Sequence, residues 1–183
     1  HGRGQIVDTP CKTCDGKGKI RRQKTIEISV PAGIDDDQIL NVGGKGNAGS
    51  NGGPNGDLHV YITVRPHAIF TRRGNDVWCD MPITFTQAAL GAEVTVPTLD
   101  GKVSYTVHEG TQPGDVFKLK GKGIQSINGR GRGDQYVRVT VEVPKNLSKR
   151  QKELLQEFEQ NADEKNYQKR KSFFGKIKDL FED

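Results

Sequence analysis

The chain has 183 residues, with 28 Lys and Arg against 23 Asp and Glu for a formal charge of +5, a length that allows one large domain or two small ones. Only 32% of the residues are apolar and 23 are Gly, which is lean for a single compact globule, and no stretch approaches the ~20 consecutive apolar residues of a membrane-spanning helix. Three Cys, an odd number, argue against a disulfide framework and suit a reducing, cytosolic setting, while the modest, interleaved charge is too weak to demand a polyanion partner.

His1-Gly2-Arg3-Gly4 offers neither an initiator Met nor the apolar core of a signal peptide, so the sequence reads as soluble and as starting inside a longer chain. Next comes Cys11-Lys12-Thr13-Cys14-Asp15-Gly16-Lys17-Gly18, the pattern C-x-x-C-x-G-x-G. Two thiolates at this spacing can face one tetrahedral metal, and the glycines let backbone N–H groups turn toward the sulfurs. Upstream, His1-Gly2-Arg3-Gly4 aligns with Asp15-Gly16-Lys17-Gly18 as the tail of an earlier unit of the same kind. A structural zinc site takes four ligands, so the pair is either half of such a site or two exposed thiols on an arm.

Ile26, Ile28 and Val30 alternate with polar residues, as do Leu58, Val60, Ile62 and Val64; each run predicts a half-buried strand. The Gly-rich stretch from Gly43 to Gly56 predicts a hairpin loop with a long tip. Trp78-Cys79 has no Cys or His at ligand spacing, so Cys79 reads as a packed strand residue. Thr86 to Leu90 predicts one or two helical turns closed by Gly91, and Glu93 to Val96 a strand, with a tight turn at Asp100-Gly101. Val103, Tyr105, Val107 and then Val137, Val139, Val141, Val143 predict further strands, with a second Gly-rich loop from Gly121 to Gly133. Ser148 followed by Gln151 is a capping-box pattern that starts a helix near Lys149. Phe173, Phe174, Ile177, Leu180 and Phe181 then form an apolar stripe at helical spacing, which needs a surface to cover it.

A shift of 77 positions lays Gly33 on Gly110, Gly44-Lys45-Gly46 on Gly121-Lys122-Gly123, Asn51-Gly52 on Asn128-Gly129, and Gly56-Asp57 on Gly133-Asp134. Ile39, Leu40, Val42, Val60 and Val64 fall on Val116, Phe117, Leu119, Val137 and Val141 by the same shift. The fold class expected is therefore mainly β, two tandem homologous small domains of sandwich or barrel type followed by a helical segment. Residues 1–21 stand apart as the cysteine segment, 22–98 and 99–145 as the two β-domains, and 146–183 as the helical segment.

These motifs carry a resemblance. The C-x-x-C-x-G-x-G unit, "VPAGIDDDQILNVGGKGNAG", "GGPNGDLHVYITVRPHAIFTRRGNDVWCDMPITFTQAALGAEVTVPTLDG" and "GTQPGDVFKLKGKGIQSINGRGRGDQYVRVTVEVP" resemble the C-terminal part of bacterial DnaJ-type co-chaperones that contain a zinc-finger region. The resemblance implies that Cys11 and Cys14 are the fourth of four zinc-binding units and would share zinc with the first, which this chain lacks, leaving half a site. It also implies a missing J-domain and missing strands of the first β-domain. It implies an apolar groove for non-native polypeptide along Thr25 to Val30 and Leu58 to Val64, with Ile26, Ile28, Val60 and Ile62 as its contacts. Homodimerisation through Phe173, Phe174, Ile177, Leu180 and Phe181, and delivery of clients to a DnaK-type ATPase chaperone in the cytoplasm, follow from the same resemblance.

No catalytic constellation is present. His59, His67 and His108 have no Ser or Cys with Asp around them, and the Gly-Lys-Gly triplets lack the strand, loop and helix order of a phosphate-binding loop. Arg72-Arg73, Arg130, Arg132, Lys45 and Lys122 read as solvated charge at turn tips. Two other functions fit these residues less well. A zinc-ribbon nucleic-acid binder would cluster basic residues with stacking aromatics, against one Trp and interleaved acids here. A thiol–disulfide oxidoreductase would place Cys11 and Cys14 at a helix start, which the sequence does not provide.

Overall fold

The computed structural model describes residues 9, 11–14, 16, 18–50 and 52–181. Its first regular element is an antiparallel ribbon of β1 (Ile39–Val42) and β2 (Leu58–Tyr61), in which Ile39 faces Tyr61 and Val42 faces Leu58. The Gly-rich loop between them turns at Gly44, whose φ of 64° is open to glycine without a Cβ clash.

The main packed unit follows. β3 (Thr71–Arg73) returns through the Gly74-Asn75 turn into β4 (Asp76–Thr84). Strict alternation along β4 sends Val77, Cys79, Met81 and Ile83 inward and Trp78, Asp80, Pro82 and Thr84 outward. α1 (Phe85–Leu90) is started by a capping box between Thr84 and Gln87 and ends at Gly91. β5 (Ala92–Thr98) and β6 (Gly101–Val107) make a hairpin in which Thr98 pairs with Gly101, so Leu99 and Asp100 form its turn. β7 (Val116–Leu119) and β8 (Gln135–Glu142) are antiparallel, and β8 lies parallel to β4 from Val77 opposite Gln135 to Thr84 opposite Glu142. The sheet order is β3-β4-β8-β7.

Between this sheet and the β5–β6 hairpin lies the core: Cys79, Met81, Ile83, Ala88, Val96, Val107, Val137 and Val139, with Phe70, Val94, Val103, Tyr105, Phe117, Leu119 and Val141 packed against it. Each buried Val contributes about 1.5–3 kcal/mol through apolar area taken from water. Gln135 is fully buried among them. Its Nε2 donates to the Pro97 carbonyl at 2.8 Å and to the Cys79 sulfur at 3.4 Å, stitching hairpin to sheet. α2 (Lys149–Asn161) starts at a Ser148–Gln151 capping box, and α3 (Gln168–Phe181) closes the chain.

The mainly β class with a C-terminal helical segment is as the sequence implies, and the repeat is visible in three dimensions: a shift of 77 carries the β1–β2 register onto the β7–β8 register residue for residue. Three expectations are corrected. Thr25 to Val30 forms no strand, because its counterpart β6 is held by β5, and among the described residues the first copy has no strand in that place. The strand expected over Leu58 to Val64 ends at Tyr61. The four-stranded sheet draws strands from both sides of residue 98, so the expected division between 98 and 99 cuts through one core.

Candidate functional site

Cys11 and Cys14 sit on one turn, where the Cys14 N–H donates to the Cys11 carbonyl at 3.3 Å. Backbone N–H groups of Thr13 and Cys14 also reach the Cys11 sulfur and lower its pKa, the Thr13 bond most. A thiolate cradled in this way suits a soft divalent metal. Among the described residues no third His, Cys, Asp or Glu joins the pair, so the donor set is two of the four that structural zinc takes. Asp15, Lys17 and His1 to Gly4 lie outside the described residues.

The four expected groove residues lie on two segments of the first copy. Val60 is on β2 and Ile62 on its continuation; Ile26 and Ile28 are on the unpaired segment before the Pro31 turn, and all four are half-buried. No strand ladder joins the two segments. The repeat supplies the contrast: the same positions in the second copy are Val103, Tyr105, Val137 and Val139, all in or against the core. Val30 is 53% exposed where its counterpart Val107 is 2% exposed. β8 has a neighbour on each side, β4 and β7, whereas β2 has only β1 among the described residues, so one row of its backbone groups is free to pair.

The loop of each copy is anchored by the same device. The Gly44 N–H donates to Asp57 at 2.8 Å and the Gly121 N–H to Asp134 at 2.7 Å. These bonds are the main reason both carboxyls lie below the usual aspartate range, with the Asn41 amide adding to Asp57 and the Lys118 ammonium to Asp134. Around the second loop the charges expected to be merely solvated are engaged. Arg132 donates to the Gly123 carbonyl and, through both terminal nitrogens, to Asp100 at 2.8 Å each, and Lys122 stands 3.6 Å from the same carboxylate. The Arg132 fork is what chiefly holds the Asp100 carboxyl low. Arg72 likewise grips three backbone carbonyls. Sequence reading missed these roles because the partners, main-chain carbonyls for Arg72 and chiefly the Asp100 carboxylate for Arg132 and Lys122, are brought near only by the fold.

In α3 the stripe is open: Phe173, Phe174 and Phe181 are 60%, 57% and 84% exposed. Ile177 is half-buried, and the Leu180 side chain lies outside the described residues. Phe173 and Phe174 meet edge to face at 5.6 Å. Arg170 to Glu159 and Lys171 to Glu164, at 4.0 and 3.5 Å, tie α3 to the end of α2 and the turn beyond it. Cys79 is buried, with its thiol pushed up by burial, and takes no part in any metal cluster among the described residues.

Residues 5–144 match the family model described as "DnaJ C terminal domain", and residues 150–183 match "Chaperone protein DnaJ C-terminal region". The chain belongs to the DnaJ C-terminal domain family. Proteins named "Chaperone protein DnaJ" from Ruminiclostridium cellulolyticum and Acetivibrio thermocellus are 59% and 53% identical to it over 180 and 179 residues. Each alignment covers 98% of this chain, but only 48% and 46% of those proteins. A third, from Desulfitobacterium hafniense, is 51% identical over the whole chain and is covered to 48%. The chain thus spans about half the length of the curated DnaJ relatives it matches. DnaJ is a family of co-chaperones and not of enzymes. Among the described residues no helix is long and apolar enough to cross a membrane.

Proposed function

We propose that this chain is the client-holding and dimer-forming part of a DnaJ-type co-chaperone. The observation that carries this reading is the asymmetry between the copies. Val137 and Val139, sealed in the second copy, have half-exposed counterparts in Val60 and Ile62 of the first, beside a strand with an unpaired side. Ile26 and Ile28 lie half-buried on a segment that has no strand partner, where Val103 and Tyr105 pack against the core. An extended non-native polypeptide can add its backbone to that side and lay alternate apolar residues against Ile26, Ile28, Val60 and Ile62. Main-chain pairing is indifferent to sequence, which is what a chaperone for many clients needs. Client transfer to a DnaK-type ATPase chaperone, in the cytoplasm, belongs to this proposal through the family and needs parts of the protein outside this chain.

Zinc, when bound, would hold the cysteine turn rigid, with Cys11 and Cys14 as two of its thiolate ligands and two more cysteines coming from elsewhere in the full protein. The nucleic-acid alternative gains no support from the site. Arg72, Arg132 and Arg138 each face a carboxylate, and Trp78 stacks on Tyr136 within the same sheet at 4.8 Å.

A labelled, denatured model polypeptide is expected to bind the chain in the micromolar range. Changing Ile28→Ser together with Val60→Ser should weaken it at least about tenfold, roughly 1.4 kcal/mol, with circular dichroism unchanged. Equal affinity in a folded double variant would sink the groove assignment. The α3 stripe is the proposed dimer contact, and two linked grooves raise the effective concentration for one long client. Removing residues 173–183 should turn a dimer into a monomer by light scattering while the β-units stay folded; an unchanged dimer refutes that contact.

A further inference from the structure

Arg72, in the middle of β3, donates to three backbone carbonyls. Its Nε donates to the Gly74 carbonyl at 2.8 Å, which orients the guanidinium. Nη1 then donates to the Ile34 carbonyl at 2.6 Å and Nη2 to the Gly33 carbonyl at 2.8 Å, and the Asp35 carboxylate lies 3.4 Å from Nε. The acceptors belong to the turn that opens the first copy, while Arg72 belongs to the sheet of the second. From the other side the same turn rests on the second Gly-rich loop: a Cβ placed on Gly33 would stand 1.9 Å from the Gln125 carbonyl oxygen, and φ there is 87°. Backbone meets backbone at this point, and any side chain would hold them apart.

The turn is in turn stitched to the ribbon. Asp36 accepts from the Val64 N–H at 2.8 Å, the Asp37 N–H donates to the Ile62 carbonyl at 3.1 Å, and the Ile62 N–H to the Gln38 carbonyl at 2.9 Å. A continuous path of hydrogen bonds therefore runs from the four-stranded sheet through Arg72 and residues 33–38 to the end of β2. The counterpart turn of the second copy is held differently, with the Gly110 N–H donating to Ala89 at 3.3 Å within its own unit.

We propose that Arg72 is the positioning residue that fixes the β1–β2 ribbon on the four-stranded sheet, and that the junction of Arg72, Gly33 and Gln125 is the hinge between the two copies. A planar fork is required, because a lysine ammonium, although it has three donors, carries them on one nitrogen and could not hold the Gly74 carbonyl and the Gly33 and Ile34 carbonyls at once in fixed positions. The inference does not depend on the client reading, since it concerns geometry alone.

The test is a distance distribution between spin labels at Lys45→Cys in the first loop and Lys102→Cys on β6, both exposed sites. Cys11 and Cys14 are changed to Ser, buried Cys79 is left in place, and labelled chain is diluted into unlabelled chain. Arg72→Gln, Arg72→Lys and Gly33→Ala should each broaden the distribution about twofold, as a released hinge does, while Trp78 fluorescence shows the sheet still folded. A Gln variant as narrow as the parent overturns the proposal. A Lys variant as narrow as the parent also overturns it, because charge and not the fork would then be sufficient. Gly33→Ala reaches the junction from the opposite side and keeps the test decisive if an Arg72 variant fails to fold.

Discussion

The two copies share register, loop anchors and glycine positions, yet they differ in what surrounds them. β8 is enclosed by β4 and β7 and roofed by the β5–β6 hairpin, and its Val137 and Val139 are fully buried. β2, with the same register against its own partner, is flanked on one side and leaves Val60 and Ile62 half-covered. A strand's pattern therefore sets which side chains share a face, and the neighbouring strands decide whether that face is core or binding surface. One repeat unit, used twice, yields a sealed scaffold in one place and an open strand edge in the other.

The sharpest way to break the comparison is at equivalent glycines. A Cβ on Gly133 would meet the Asn75 carbonyl oxygen at 2.0 Å, because the β3–β4 turn is pressed into the second loop; on Gly56 the nearest atom is the Asn47 carbonyl oxygen at 3.9 Å. The Ile124 N–H donates to that Asn75 carbonyl at 2.7 Å, so the turn cannot simply back away. Gly133→Ala is expected to cost about 2–4 kcal/mol as overpacking, and Gly56→Ala to stay within about 0.5 kcal/mol. Urea unfolding followed by circular dichroism and by Trp78, the chain's one Trp, separates the two, and similar losses would show that the loops are equally enclosed. A gentler comparison uses identical side chains. Val137→Ala removes a fully buried group and should cost about 2 kcal/mol, whereas Val60→Ala should cost less than about 1 kcal/mol. Equal costs in the unfolding midpoint would mean that Val60 is as enclosed as its counterpart and could not serve as an open contact.

Much of this was legible in the residues, because the repeat is written in glycines and alternating apolar positions whose spacing is local. The strand around Cys79, the capping box at Ser148 and the α3 stripe follow from short-range patterns, while the hairpin turn expected at Asp100-Gly101 lies one residue earlier, at Leu99-Asp100, because Thr98 pairs with Gly101. What could not be read was pairing. Ile26, Ile28 and Val30 alternate as well as Val103, Tyr105 and Val107 do, but a strand needs a partner, and its presence is a property of the surroundings. The parallel pairing of β4 with β8 was equally hidden, since the two strands are separated by four other elements. Arg72 and Arg132 looked like loop charge for the same reason: their acceptors, main-chain carbonyls for Arg72 and mainly the Asp100 carboxylate for Arg132, are brought near by the fold.

The smallest expected effect concerns acid. Asp57 and Asp134 anchor equivalent loops, and both are held below the usual carboxylate range, first by the N–H of Gly44 or Gly121. A carboxylate with a lowered folded-state pKa adds stability above its unfolded value of about 3.9 and loses it as pH falls through the folded value. Lys118, at 3.2 Å from Asp134, has its own pKa raised by that carboxylate. The pair therefore contributes where Asp134 is ionised and Lys118 is charged: it is lost at high pH as the lysine deprotonates and in acid as Asp134 takes up its proton. Asp134→Asn can still accept from Gly121 but neither titrates nor pairs with Lys118. The variant should show a shallower loss of stability between about pH 5 and pH 2, and Asp57→Asn, with no lysine partner, a smaller flattening still. Asp80 and Asp100, held low chiefly by Arg138 and Arg132, keep their share of the acid limb in both variants. An Asp134→Asn profile that runs parallel to the parent would show that the loop anchor is equally strong with the acid protonated, and that the shared Gly-Asp pair serves the turn by shape rather than by charge.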